Sequence, residues 1–305
     1  MQYIVGHKNP DTDSVSAAVA LADLLEKRGF ECRACINGEL NPETSFVLEK
    51  FRLSTPENLS DGSEKEVFLV DHSETSQSLD NLENSKINGI VDHHKLGDVT
   101  TNNPPEAWIW PVGSTCTVIK SMFDFYNVKI EKGIAGAMLS AILSDTVIFK
   151  SATSTKEDEE AAKELAGIAG ISDITAFGIE LFKVKSSIED STPQELLQRD
   201  YKDFDMSGHK VGISQLELID TAMVENMKGE LFEELTKLKS EGRHTVILLL
   251  TDIMKEGSEI LVASDDTSFV EKAFNTKIEN NKAWVEGVMS RKKQVVPPLE
   301  EVFSS

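Results

Sequence analysis

Cysteine is scarce: Cys32, Cys35 and Cys116 are the only three in 305 residues, an odd number that makes no disulfide framework. Cys32 and Cys35 do form a C-x-x-C. On the strand expected over 31–36 their side chains point to opposite faces, and no second pair is present to complete a zinc site. Positive charge is also short, with 31 Lys and Arg against 52 Asp and Glu and a net charge of −21. Such a surface repels polyanions, whose binding draws on many Lys and Arg contacts, so an extended nucleic-acid partner is disfavoured. Aromatic residues make up only 7%, too few for a base-stacking groove. No apolar run reaches the roughly 18 to 20 residues that a membrane span needs, so no membrane partner is expected. The first residues enter a strand without a signal-peptide pattern, and a cytoplasmic location is the expectation.

What is there suits two domains. The chain is 40% hydrophobic and long for a single core. From the start, short apolar runs that read as buried strands (3–5, 31–36, 66–70 and 87–91) alternate with helical spacing at 15–29 and 42–51. That alternation is the pattern of a doubly wound, mostly parallel α/β sheet. Asp13 or Ser14 would cap the first helix, and a helical stretch is expected near 78–81. The segment 100–111, with Pro104, Pro105, Trp108 and Trp110, reads as a loop. Gly113-Ser114-Thr115 opens a helix whose first amides could hold an anion or be an ordinary hydroxyl cap. A nearly all-apolar helix is expected over 132–149, with Asp145 inside it, and further helices over 156–169 and 172–183. A polar stretch without periodicity at 186–193 divides the chain into an N-terminal domain over 1–185 and a C-terminal domain over 194–305. The latter carries strand patterns at 201–204, 210–216, 245–251 and 259–264 and a helical pattern at 224–239.

The chemistry gathers in loops after the strands of the first domain, where open α/β sheets place their sites. His7, Asp11 and Asp13 follow the first strand, Asp71 ends another, and Asp92-His93-His94 follow a third, with Asp145 on the buried helix. Singly, each has an ordinary explanation as a turn, cap or satisfied polar residue. Leaving Asp92 aside, together they concentrate seven nitrogen and oxygen ligands, and their conjunction points to a binuclear metal site. Carboxylates in the majority, imidazoles second and no thiolate favour Mn²⁺ or Co²⁺, leave Mg²⁺ open and suit Zn²⁺ less. Four carboxylates against two dications leave the cluster near neutral, so a water held between them can become a nucleophile near neutral pH.

The densest positive cluster, Ser290-Arg291-Lys292-Lys293-Gln294, stands near the end of this acidic chain. A solvated patch would explain it. The strand-like runs at 283–289 and 295–296 instead place it in a bend between two strands, where it could meet a substrate's phosphates across an interdomain cleft.

The whole set, from Gly6-His7 through Asp13, Asp71, Asp92-His93-His94, Ser144-Asp145 and the terminal Ser-Arg-Lys-Lys-Gln, resembles the family II inorganic pyrophosphatases of the DHH phosphoesterase superfamily. The resemblance implies two α/β domains, a DHH domain and a smaller DHHA2-like one, with the active site in the cleft between them. It implies His7, Asp11 and Asp71 as ligands of one Mn²⁺ or Co²⁺, and Asp13, Asp71, His93 and Asp145 as ligands of a second, with Asp71 bridging. His94, Lys202, Arg291 and Lys292 match substrate and catalytic residues, Lys202 on this ground alone. Asp92 would orient the histidines rather than bind metal, and Lys293 receives no role. Further implications are a Mg²⁺ arriving with pyrophosphate, in-line attack by a metal-bridged hydroxide to give two orthophosphates, and a homodimer formed through the N-terminal domain. Two rival functions are a DHH phosphoesterase acting on short oligonucleotides or polyphosphate, and a non-catalytic metal-binding protein.

Overall fold

The computed structural model describes residues 1–186, 188 and 191–304 and divides into two compact units, Met1–Phe149 with Thr153–Val184, and Lys150–Ala152 with Lys185–Ser305. Of the polar stretch at 186–193, residues 187, 189 and 190 lie outside the described residues.

The first unit is built on a six-stranded sheet: β1 (Gln2–Lys8), β2 (Cys32–Asn37), β3 (Glu57–Asn58), β4 (Glu66–Val70), β5 (Lys86–Asp92) and β6 (Glu106–Ile109), in the order β3-β2-β1-β4-β5-β6. Every pairing is parallel. The central strands read as apolar runs because both faces are covered: Ile4, Val5, Val67, Leu69 and Val91 are fully buried. The strand order changes direction between β1 and β4, the switch point at which such sheets open a crevice. Register brings the loops level there, since Val5 pairs with Leu69 and Leu69 with Ile90. His7, Asp71 and Asp92 therefore emerge side by side. The helices are α1 (Thr12–Lys27), α2 (Pro42–Lys50), α3 (Thr115–Phe125), α4 (Lys132–Asp145), α5 (Lys156–Ala169) and α6 (Ile174–Lys185).

Four local expectations are corrected. Segment 100–111 is not all loop, because 106–109 pairs with β5 as an edge strand. The stretch near 78–81 gives way to two 3-10 turns, Thr75–Gln77 and Leu82–Asn84. Asp11, not Asp13 or Ser14, caps α1. The buried helix ends at Asp145, not at 149: residues Val147, Ile148 and Phe149 follow with φ of 51°, 52° and 64°. Three left-handed residues, two of them β-branched, cost roughly 1 to 2 kcal/mol each, strain that surrounding packing must offset.

The second unit carries α7 (Pro193–Gln198), β7 (Tyr201–Met206), β8 (His209–Leu218), α8 (Lys228–Ser240), β9 (Thr245–Asp252), β10 (Gly257–Ser264), α9 (Ser268–Phe274), β11 (Lys282–Glu286) and α10 (Val296–Phe303). Its sheet, β11-β10-β9-β8-β7, is mixed, with only β8 and β9 parallel. The basic cluster does not lie between two strands. Arg291–Val295 form a π-helical turn that leads into α10. The apolar Val295 and Val296 mimic a strand, but the two prolines that follow fit a first helical turn, where a missing N–H costs nothing, and Leu299 and Phe303 bury one helical face. Among the described residues no single helix is long and apolar enough to cross a membrane.

Candidate metal centre

The strand β1 ends against α1 with almost no clearance. A Cβ on Gly6 would stand 1.8 Å from Ser14 Oγ, so only glycine lets the His7 loop lie flat over the helix N-terminus. Asp11 caps that helix, its Oδ1 accepting from the Ser14 amide at 2.9 Å, while Oδ2 lies 3.4 Å from His7 Nε2. One carboxylate thereby serves both the fold and the site.

Three histidines are oriented by their Nδ1 atoms. His7 Nδ1 lies 2.8 Å from the Lys8 carbonyl and His93 Nδ1 3.0 Å from the Val112 carbonyl. A carbonyl only accepts, so each Nδ1 carries the proton, and in the neutral ring Nε2 is left with its lone pair. His94 Nδ1 lies 2.9 Å from Asp92 Oδ1, which also accepts from the amides of His93 at 2.8 Å and His94 at 3.0 Å. Asp92 is fully buried, and it organises the Asp-His-His loop from beneath.

Asp71 stands at the centre with φ of 62°, a left-handed conformation that aspartate tolerates better than most residues. Its Oδ2 lies 3.4 Å from His7 Nε2 and its Oδ1 3.4 Å from His93 Nε2. Asp145, the last residue of α4, places Oδ2 3.7 Å from His93 Nε2. Ligand atoms within 4.8 Å of one another form three sets: His7, Asp11 and Asp71; Asp13, His93 and Asp145; and Asp71, His93 and His94.

Asp13 is fully buried and is held by the start of α3. It accepts from Ser114 Oγ at 2.7 Å and from the amides of Thr115 at 2.6 Å and Cys116 at 3.1 Å. The anion held at this helix N-terminus is thus the protein's own carboxylate. Thr115 Oγ1 donates to Asp71 Oδ1 at 2.9 Å. A second layer braces the turn: the buried Asp158 at the start of α5 accepts from the Gly113 amide at 2.8 Å and from Thr117 Oγ1 at 2.5 Å. Sequence reasoning named Thr115 only as part of the Gly113-Ser114-Thr115 helix start and did not name Asp158. The Gly-Ser-Thr before α3 was the available signal for the first; nothing local marks the second.

The electrostatics show a cluster short of positive charge. Burial alone would lower His93, yet Asp71 and Asp13 outweigh it and push it up to about 9. His7 is likewise raised well above an ordinary imidazole, because Asp11 and Asp71 outweigh its desolvation. Burial, followed by the neighbouring Asp71, pushes Asp13 up to about 6. Asp71 is buried, which would raise it, but His7 and His93 hold it well below the usual carboxylate range. These residues fit divalent metal on independent grounds too. His93 Nε2 is buried without a hydrogen-bond partner although three carboxylates surround it. Carboxylate and imidazole donors with no thiolate in the three sets suit Mn²⁺.

In the second unit, Lys202 is exposed on β7 and Lys292 on the turn before α10. Arg291 donates to Asp200, with Nη2 2.7 Å from Oδ1 and Nη1 on the backbone carbonyl. The Arg291 segment thus runs beside the start of β7, two residues from Lys202. His94 lies in the first unit, in one of the three sets with Asp71 and His93.

Comparison with known proteins follows the same division. Residues 2–142 match the family model of the DHH family N-terminal domain, and residues 179–302 match that of the DHHA2 domain. The chain is 52% identical to a protein of Archaeoglobus fulgidus named a probable manganese-dependent inorganic pyrophosphatase, over 99% of this chain and 98% of the other. It is 50% identical to the manganese-dependent inorganic pyrophosphatase of Methanocaldococcus jannaschii, over the full length of both. The crystal structure of a family II inorganic pyrophosphatase from Methanococcus jannaschii superposes with a TM-score of 0.83 at 49% identity, covering both chains completely.

Proposed function

The chain belongs to the manganese-dependent, family II inorganic pyrophosphatases, and from that premise we propose how its residues divide the work of splitting pyrophosphate into two orthophosphates. His7, Asp11 and Asp71 would hold one Mn²⁺, and Asp13, Asp71, His93 and Asp145 a second. The observation that carries this reading is Asp71, which turns one oxygen toward His7 and the other toward His93. Four carboxylates balance two dications. Bound there, the cations act as Lewis acids on phosphoryl oxygens and lower the pKa of water. Co²⁺ would serve in the same donor set, and a further Mg²⁺ would arrive with the substrate.

The protein's own groups do the rest. Asp92 accepts from Nδ1 of His94 and so would stabilise its imidazolium form, whose Nε2–H would hydrogen-bond to the leaving phosphate or give it that proton. Lys202, Arg291 and Lys292 would neutralise the substrate's phosphates, arginine as a planar fork and the lysines as point charges. Arg291 exchanges Asp200 for phosphate in this reading, so its present partner stands where a substrate oxygen would compete. Lys293, which donates to the Ala152 carbonyl at 3.0 Å, is assigned no catalytic role in this reading.

The same reading extends to assembly and place. A homodimer through the first unit is supported by the open edge of β6 and by Trp110 and Phe125, which are exposed nearby. The net charge of −21 argues against a nucleic-acid partner, and we assign neither a membrane partner nor a location outside the cytoplasm. Phosphate release measured on Mg²⁺-pyrophosphate and on a dinucleotide in parallel tests the substrate: release from pyrophosphate alone is expected, and comparable release from the dinucleotide would favour a broader DHH phosphoesterase.

A further inference from the structure

Glu43 belongs to none of the three sets of ligand atoms, yet it is 3% exposed in the first unit. It sits in the first turn of α2. Its Oε2 accepts from Thr12 Oγ1 at 2.7 Å and from Ser144 Oγ at 2.9 Å. Both donors are themselves buried. Thr12 stands between Asp11 and Asp13 at the start of α1, and Ser144 immediately precedes Asp145 at the end of α4. One carboxylate oxygen therefore ties together the two chain segments, far apart in sequence, that deliver Asp13 and Asp145 to the same set.

The proton count fixes the direction of this network. Thr12 has a single hydroxyl proton, and it is committed to Glu43. The 3.0 Å contact between Thr12 and Thr44 must then run from Thr44 to Thr12. Thr44 donates to Thr12, which donates to Glu43, and Thr12 has no freedom left to rotate. A leucine would fill comparable space without removing a carboxylate from water, and replacing buried charge by apolar groups of similar volume is often neutral or stabilising. Packing does not require an acid here, and its place in the first turn of α2 favours one only modestly. Metal ligands give one, because their affinity depends on outer partners that fix ligand orientation.

We propose that Glu43 is a positioning residue for the metal centre, locking the first turn of α1 to the last turn of α4 so that Asp13 and Asp145 meet at one cation. This rests on the ligand assignment proposed above. No atom of Glu43 need touch the metal or the substrate.

The test titrates Mn²⁺ into chelator-treated full-length protein, for wild type, Glu43→Ala, Glu43→Gln and Ser144→Ala, and records the melting temperature of each metal-free form. Glu43→Ala is expected to weaken Mn²⁺ binding by about 10- to 100-fold, the usual range for loss of an outer partner. Glu43→Gln keeps an acceptor oxygen for both hydroxyls and should recover most of that loss. Ser144→Ala should fall between them, and it decides the matter if Glu43→Ala does not fold. Wild-type affinity in Glu43→Ala or in Ser144→Ala, with only the melting temperature lowered, would overturn the positioning role and leave the metal assignment standing. Equal losses in Glu43→Gln and Glu43→Ala would overturn it too, by pointing to charge rather than geometry. Absence of Mn²⁺ binding by wild type would overturn the ligand assignment and this inference together.

Discussion

The hydroxyl of Thr115 donates a 2.9 Å hydrogen bond to Oδ1 of Asp71, the oxygen that also faces His93. Both residues are buried, so the start of α3 fixes the rotation of the carboxylate proposed to join the two cation sites. Thr115→Val keeps the shape and removes the donor. Mn²⁺ affinity should fall by roughly tenfold, measured by titration of the metal-free protein; an unchanged affinity would show that the strand end alone orients Asp71.

Gly113 is fixed by a close approach rather than by its backbone angle. A Cβ there would lie 2.6 Å from Asp158 Oδ2 and 2.6 Å from Thr146 Cγ2. Gly113→Ala must push Asp158 off the Gly113 amide or displace α4 near Asp145. A loss of about 1 to 3 kcal/mol is expected for such overpacking, read as a lowered denaturation midpoint, together with weaker Mn²⁺ binding.

Metal binding should depend on pH with a definite sign. In the metal-free chain His93 titrates near 9, above an unfolded imidazole at about 6.5. Its proton therefore stabilises the metal-free fold below about pH 6.5, and that contribution is lost as pH rises through 9. Mn²⁺ must displace the same proton. Its apparent affinity should rise by roughly tenfold per pH unit between 6.5 and 8.5, and a flat profile would contradict the assignment of His93 as a ligand.

The residues proposed to bind phosphate should behave differently from those proposed to bind metal. Lys292→Ala is expected to lower kcat for pyrophosphate by one to two orders of magnitude, roughly the loss of one charge-assisted contact, with Mn²⁺ content unchanged. Loss of bound Mn²⁺ in that variant would refute its placement. Lys293→Ala, by the same assay, should stay close to wild type.

Much of the first unit is legible because its physics is local. Continuous apolar strands ending in Asp or His predict both the parallel sheet and the loops at its carboxyl edge. The errors came from places where tertiary contacts overrule local pattern. Residues 106–109 look like loop because an edge strand needs no apolar run, and α4 stops at Asp145 because the chain enters a left-handed turn that Val147 and Ile148 do not advertise. Val295 and Val296 have strand propensity, yet two prolines and the Leu299 to Phe303 spacing make them helical. The residues that the structure gathers into the three sets could be named from their chemistry and resemblance. Their supports were not named, beyond the Gly113-Ser114-Thr115 helix start, since Thr115, Asp158 and Glu43 make contacts spanning 31 to 102 residues of sequence.

The central claim is that Asp71 joins two cation sites on which hydrolysis depends. Stepwise addition of Mn²⁺ to the metal-free chain, with bound metal and phosphate release from Mg²⁺-pyrophosphate followed together, tests it most directly. Two equivalents of Mn²⁺ should bind, activity should appear only as the second fills, and Asp71→Ala should lose both. Full activity with one equivalent or none, or an Asp71→Ala variant that hydrolyses pyrophosphate at the wild-type rate, would contradict it.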